Sequence, residues 1–474
     1  MPRNAVRKLQ PTRELSPGLL APPPGPLPWL PPLVPPPYLP PAETPPRDYI
    51  RPNYADRFRC ISSACEDTCC QGWSVPVDQG TYEKYRSNET MKSHLGTLIV
   101  LNTSQPSTSD YARIPLTGQT CSFLDTDHLC GIQKQLGSEM LSVTCATYPR
   151  AITTNTGQRE EALNLSCPEA ARLTLLDAGL LDANLLNPAR RSGGSSIASP
   201  FARYAAIRHQ PAKHAIQPRL AIRDFILILL AERAYPLWQR LYLLGTLTTR
   251  LHAASAGTPV AAWADANPHK VAVLLADSAR GAVNGRLRPI MDEIRPQPDR
   301  QLKLLIEMLR QRFSTPPIPS RFIECIQDFE AGIGSNTAQN EPELLNAYEE
   351  GYRRYYRPLM DENPHLLENY CINYVFKNSY PFGRQTQRTL LSPDAPESEH
   401  ILLCVHIALV QTLLIGMAAH YREAFGTTHV VKLVQSLART IEHSQQSIDQ
   451  IKHFAATRNL TNPHTLALLL RLPD

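Results

Sequence analysis

The sequence predicts a mainly α protein: an N-terminal cysteine-rich domain that binds a metal ion or cluster, followed by a multi-helix body. Three observations carry this. Eight of the eleven cysteines fall between Cys60 and Cys167. Beyond them, apolar residues recur at helical spacing. Alternating apolar and polar runs, the mark of half-buried strands, are scarce.

Composition supports a globular chain. Of 474 residues, 42% are hydrophobic and 19% charged, enough for a sizeable core and two or three domains. The net charge is +5 and spread along the chain. Without a dense Lys/Arg run this argues against a nucleic-acid partner and allows only a mild attraction to acidic protein surfaces.

The 44 prolines are skewed toward the start. Ser16 to Pro46 reads SPGLLAPPPGPLPWLPPLVPPPYLPPAETPP. Proline lacks an N–H and fixes φ, so this run forms neither helix nor sheet. Residues 1–48 are read as a disordered, polyproline-like tail, with a ligand for a proline-binding domain as the sharper alternative. The prolines also break every apolar stretch that would serve as a secretion signal. The expectation is therefore a cytoplasmic chain whose cysteines stay reduced.

Residues 49–186 are the expected cysteine-rich domain. Its candidate metal ligands are Cys60, Cys65, Cys69, Cys70, Cys121, Cys130, Cys145 and Cys167. A reducing compartment argues against disulfides. Zinc takes four thiolates in a tetrahedron, and iron–sulfur clusters are also commonly held by four. Cys60-x4-Cys65-x3-Cys69-Cys70 is neither a zinc ribbon nor the bacterial ferredoxin run. Adjacent Cys69 and Cys70 would diverge by about 100° on a helix, or to opposite faces of a strand. Either they serve two sites, or one ligates while the other packs. One site or two stays open. Cys325, Cys371 and Cys404, single residues in apolar contexts, read as core. Trp73 reads as a shield over the site or as the anchor of a small core. Glu66 and Asp67 read as helix-start acids, or as alternative oxygen ligands.

Residues 187–200, NPARRSGGSSIASP, read as a linker, and 201–474 as a helical domain. Leu302, Leu305, Ile306, Leu309 and Phe313 form one helical face. Val430, Leu433, Val434, Leu437, Ile441, Ile448 and Ile451 form another, with Ser444 completing the stripe. STPPIPS (Ser314 to Ser320) separates two helices. Ile401 to Ala419 carries no formal charge and is long enough to span a bilayer. It contains His406, Gln411 and Thr412 and has no companion, so it reads as a helix buried all round. His406 reads as a core histidine, with catalysis as the alternative.

Three segments carry a family resemblance. FRCISSACEDTCCQGWSVPVDQGTYEKYR (Phe58 to Arg86) and CSFLDTDHLCGIQKQLGSEMLSVTCATYPR (Cys121 to Arg150) resemble the flagellin lysine-N-methylase family. More loosely, they resemble a broad group of zinc- or iron-chelating cysteine-rich proteins. YEEGYRRYYRPLMDENPHLLENYCINYVFKNSYPFG (Tyr348 to Gly383) resembles the methylases' second signature. The resemblance runs from about Tyr49 onward and leaves out the proline-rich head. It implies a protein-lysine N-methyltransferase that moves a methyl group from S-adenosylmethionine to surface lysines of flagellin and involves a [4Fe-4S] cluster, with zinc as the alternative. No nucleic-acid partner is expected, from the spread charge, and no membrane, from the polar residues inside the one apolar stretch.

Methylating an amine needs it neutral, so the site must desolvate it or offer a base. No strand leads into a Gly-rich turn and helix, so the cofactor site is expected to be unusual. A cluster with an open iron position, which requires three cysteine ligands, could chelate the methionine moiety. Tyr370 and Tyr374 are the candidate catalytic residues, walling a lysine channel with a phenol accepting the amine proton; helix packing is the alternative. Tyr348, Tyr352 and Tyr355 or Tyr356 share a further face. Asn373 and Asn378 are the candidate cofactor-binding residues, or else caps and members of a buried network. Arg353, Arg354 and Arg357 read as a solvated face. Two other functions compete: a non-catalytic zinc- or iron-chelating protein with a helical partner-binding body, and a cluster-containing oxidoreductase.

Overall fold

The computed structural model describes residues 49–104, 106–155, 158–180, 217–313, 318–335, 340–383 and 395–473. The proline-rich tail at 1–48 and the linker at 187–200 lie outside the described residues. Within them the chain is mainly α, as its patterning predicts.

All eight described strands lie in the cysteine-rich region: β1 Tyr49–Ile50, β2 Val75–Val77, β3 Val100–Leu101, β4 Ala112–Ile114, β5 Leu116–Thr117, β6 Thr120–Cys121, β7 Arg150–Asn155 and β8 Gln158–Leu163. They form three small sheets, ordered β1-β8-β7, β2-β4-β3 and β5-β6. The β7–β8 hairpin sets Arg150 opposite Leu163, and β1 runs parallel to β8. A second small core, with Val77, Tyr85, Met91, Ile99 and Ala112 at its centre, lies apart from the main one.

The helices that frame the site are α1 Asn53–Arg57, α2 Gln79–Ser87, α3 Pro168–Leu175, α4 Pro218–Leu230, α5 Leu237–Ser255, α6 Pro268–Val283, α7 Pro298–Phe313, α8 Ser320–Ile333, α9 Glu341–Gly351, α10 His365–Lys377, α11 Ala395–Tyr421, α12 Thr427–Leu437, α13 Gln445–Thr457 and α14 Pro463–Leu470. Several start where a side chain offers a partner for the orphan amides. Asp78 accepts from Thr81 N at the head of α2, and Asn462 from Thr465 N at the head of α14.

Helix α11 contains the apolar stretch from Ile401 to Ala419, and 89% of its most apolar window is buried within the chain. Its residues serve as core, each large aliphatic side chain contributing about 1.5–3 kcal/mol by leaving water. Helix α8 lies almost against it: a Cβ on Gly332 would sit 1.8 Å from the carbonyl oxygen of Gly416. Only glycine permits that approach.

Helix α10 is buried from Leu366 to Lys377 despite its polar residues, and lies between the body and the cysteine-rich region. Each polar side chain finds a distant partner. Glu368 bonds Arg233 and Arg240, at 2.7 and 2.9 Å. The Asn369 amide donates to the carbonyls of Thr174, Leu175 and Asp177.

The face drawn through Leu302 to Phe313 is α7, as expected. The stripe from Val430 to Ile451 needs correction, because it is not one helix. Helix α12 ends at Leu437, a wide π turn comes next over Ala438–Glu442, and α13 begins anew at Gln445. Ser444 caps α13 by accepting from Ser447 N. A second π turn spans Tyr352–Tyr356, so the tyrosines there do not keep α-helical spacing. Such turns are rare and frequently mark functional sites.

Candidate functional site

The cysteine segment folds mostly as loops and turns, which let sequence neighbours diverge or meet. Electrostatic interactions sort the eight cysteines into two neighbourhoods. Cys60, Cys65 and Cys167 interact with one another. Cys69, Cys70, Cys121, Cys130 and Cys145 make the other. None of the eleven cysteines is paired in a disulfide.

Backbone amides are aimed at several sulfurs. Asp67 N–H bonds Cys65, Phe123 N–H bonds Cys121, Ile132 and Gln133 N–H bond Cys130, and Glu169 and Ala170 N–H bond Cys167. Cys130 and Cys167 gain this by preceding helices, at Gly131 and at Pro168. Such bonds favour thiolate, whereas burial opposes it and wins in the free chain. Burial pushes Cys65 up to about 11, and Cys145 and Cys167 up to about 12.

Cys69 and Cys70 lie in a turn, so the divergence expected from helix or strand does not apply. The Cys70 thiol bonds Cys69, which brings Cys69 down to about 7, with Arg439 assisting, and pushes Cys70 up. Trp73 stands over this turn, its Nε1 donating to Cys69 O at 2.9 Å.

Glu66 and Asp67 follow the short helical turn that ends at Ala64 and so do not start a helix; both are ion-pair partners. Glu66 binds Arg172. Asp67 is held from the helical body: Arg439 Nη1 lies 2.5 Å from Oδ1, and Gln435 Nε2 donates to Oδ2 at 2.8 Å. Arg439 Nη2 also donates to Gln71 O at 2.7 Å, and Gln435 to Ser166 O at 2.9 Å. Gln435 and Arg439 stand where α12 passes into the π turn. Just beyond it, exposed His443 places Nε2 2.7 Å from Ser166 Oγ, which lies 3.0 Å from Tyr148 OH.

The inner side of the turn carries Glu442. Its carboxylate accepts from Tyr370 OH at 2.9 Å and pairs with Lys377. Burial alone would raise this carboxyl; Lys377, His406 and the two hydrogen bonds outweigh it and hold it at about 2. Tyr370 OH also lies 3.2 Å from His406 Nδ1, while His406 Nε2 has no hydrogen-bond partner among the described residues. Burial lowers His406 to about 4, so it is neutral at pH 7.

The other candidates are explained by their partners. Tyr370 and Tyr374 are buried, and burial with a nearby carboxylate raises both phenols well above their ordinary value. Tyr374 donates to Glu399 at 2.9 Å. Both phenols are therefore hydrogen-bond donors at neutral pH. Asn373 joins Tyr54 OH, at 2.6 Å, to the main chain of Leu163, a buried network. Asn378 caps α10. Arg353, Arg354 and Arg357 are exposed, with Arg354 paired to Glu350 at 2.7 Å. The residues that sequence reasoning missed are Gln435, Arg439, Glu442 and His443. Tyr148 stood inside a recognised motif; the others carried no local signal, because their partners are remote in sequence.

The donors match a thiolate-held metal or iron–sulfur cluster in kind and number: soft sulfur, five in one neighbourhood and three in the other, with amides directed at them. Among the described residues, no three His, Cys, Asp or Glu side chains are drawn into a coordination shell. Nor does any described strand lead through a Gly-rich turn into a helix.

The family described as FliB lysine N-methylase C-terminal domain matches residues 223–469. The chain is 36% identical over 128 residues to a lysine-N-methylase of Salmonella typhimurium, covering 27% of this chain and 32% of that one. It is 35% identical over 128 residues to the flagellar biosynthetic protein FliU of Salmonella muenchen, covering 27% and 76%. A lysine-N-methylase of Salmonella choleraesuis is 34% identical over 128 residues, covering 27% and 32%. The chain thus spans about a third of the length of the two curated methylases it matches. No solved structure matches it.

Proposed function

Since the chain belongs to the FliB lysine N-methylase C-terminal domain family, we propose that it is a cytoplasmic protein-lysine N-methyltransferase moving methyl groups from S-adenosylmethionine to surface lysines of flagellin. The names of its relatives support the reaction and its flagellar setting. The observation that carries the reading further is the grip of the family-matched part on the cysteine segment. Arg439 and Gln435 belong to residues 223–469 and clasp Asp67, two residues from Cys69. The cysteine segment is thereby one unit with the methylase-like body.

We further propose that Cys69, Cys70, Cys121, Cys130 and Cys145 supply the ligands of an iron–sulfur cluster, with zinc as the ion the same thiolates would otherwise take. Cys60, Cys65 and Cys167 are a three-thiol set beside it. When bound through three of these thiols, such a cluster would tie the loops together, and its open iron position would provide a Lewis-acid seat for an amino-carboxylate.

The chain's own residues have distinct tasks. A lysine amine must lose its proton before it attacks a sulfonium methyl. His443 is exposed beside the cysteine segment and is oriented through Ser166 by Tyr148. It is our candidate base. Tyr370, Lys377, Glu442 and His406 are too deep to meet a protein substrate; they position the π turn that carries Arg439 and leads to His443.

The test is anaerobic purification of the full chain, metal and sulfide analysis, and incubation with labelled S-adenosylmethionine and flagellin. Label on flagellin lysines by peptide mass spectrometry is the expected outcome. A metal-replete protein that leaves flagellin unlabelled would sink the proposal.

A further inference from the structure

A cleft of about 330 Å³ opens between α4, α5 and α6, away from the cysteines and the π turn. That is at the lower end of the range for small-molecule sites, about 300–1,000 Å³. Phe225, Leu229, Leu243 and Leu287 give it an apolar floor.

Its rim is cationic. Arg250 Nη2 lies 2.7 Å from Asp277 Oδ2, and Arg250 Nη1 donates to Ser278 Oγ at 2.7 Å. Arg280 and Arg286 approach the same aspartate at 3.7 and 3.9 Å. Three guanidinium groups thus share one carboxylate.

The wall holds a glycine inside a helix. Gly281 lies within α6, where glycine costs about 1 kcal/mol relative to alanine. It is buried, yet a Cβ built on it would meet nothing within 4 Å. No neighbour in the chain requires the missing side chain. Gly281 lines the cleft, and a side chain there would fill it.

We propose that this cleft binds a small anionic amphiphile, an apolar chain or ring ending in a carboxylate. The floor takes the apolar body, the space over Gly281 takes its width, and Arg250 and Arg286 take the carboxylate. The site is separate from the methyl-transfer reading and does not depend on it.

Decanoate is the probe, titrated into the full chain by calorimetry, with 1-decanol as its uncharged counterpart. Decanoate should bind saturably at one site, and 1-decanol about tenfold more weakly. Gly281→Leu fills the space while improving helix propensity, so it should weaken decanoate at least about tenfold without lowering Tm. Arg286→Gln alters an exposed side chain and should weaken decanoate with Tm unchanged. The proposal is overturned if decanoate shows no saturable binding, if Gly281→Leu binds it as the parent does, or if 1-decanol binds equally well. Displacement of decanoate by S-adenosylmethionine would also overturn it, assigning the cleft to the methyl donor.

Discussion

Arg439 reaches across from the π turn to Asp67, with Nη1 2.5 Å from Oδ1 and both side chains almost buried, at 12% and 13% exposure. This contact fastens the cysteine segment to the body. Removing one partner leaves a nearly buried charge unmatched, which typically costs about 3 kcal/mol. Arg439→Ala and Asp67→Ala should each destabilise the chain by about that much in urea unfolding. The double replacement should cost well under their sum. Additive effects would show that the pair does not couple.

Lys377 and Glu442 form a second pair, deeper still, at 2% and 9% exposure. Lys377→Met strands a carboxylate and should cost about 3–5 kcal/mol. Adding Glu442→Leu removes the stranded charge and should recover much of that loss. A double variant no more stable than Lys377→Met would contradict the assignment.

Acid should destabilise the fold through two histidines. His406 and His400 are held by burial at about 4 and about 3, below the 6.5 of an exposed imidazole. In that interval the unfolded chain binds protons that the folded chain refuses, so stability rises with pH and falls as pH drops. The loss begins near pH 6.5 and continues to about 4 for His406 and about 3 for His400, at about 1.4 kcal/mol per pH unit for each. Glu442, held at about 2, adds a loss in the same direction at lower pH. His406→Asn should roughly halve the slope of the unfolding free energy between pH 6 and pH 4, leaving the part due to His400; an unchanged slope would remove His406 as a source.

Metal content should track the cysteine neighbourhoods. Cys130→Ala or Cys145→Ala should lower bound iron or zinc, measured by elemental analysis of protein purified without oxygen. Cys325→Ala, in the apolar core, should leave metal content at the parental value. Equal content in all three would dissociate the metal from these thiols.

His443→Gln should reduce flagellin methylation by about 10²–10⁴-fold, the usual loss for a general base. Its side chain is exposed, so the unfolding free energy should move by no more than about 0.5 kcal/mol. Parental rates in the variant would remove His443 from the chemistry.

The sequence revealed those parts of the fold that repeat or cluster. Helix α7 showed in the spacing of Leu302 to Phe313, α11 in an unbroken apolar run, and the thiol site in the density of cysteines. The strands were hidden because most span only two or three residues, too few to display alternation. The burial of α10 was hidden for another reason. Glu368, Asn369, Tyr370, Asn373 and Lys377 look like a wet face, and become core only through partners far away in sequence, such as Arg240, Thr174, Tyr54 and Glu442. The clasp on Asp67 was hidden likewise, since no local pattern joins Arg439 to a loop near the other end of the chain.

The π turn at Ala438–Glu442 also sets a phase. Its wider pitch sets the angle between the side chains it carries, so that Arg439 faces the cysteine loops while Glu442 faces α10. Deleting one residue there would restore an ordinary helical pitch to the turn, yet swing its later side chains by about 100°. Arg439 and Glu442 could then no longer reach their two targets at once. The length of this segment is thus constrained independently of its composition, and a one-residue deletion should be less tolerable than most substitutions within it.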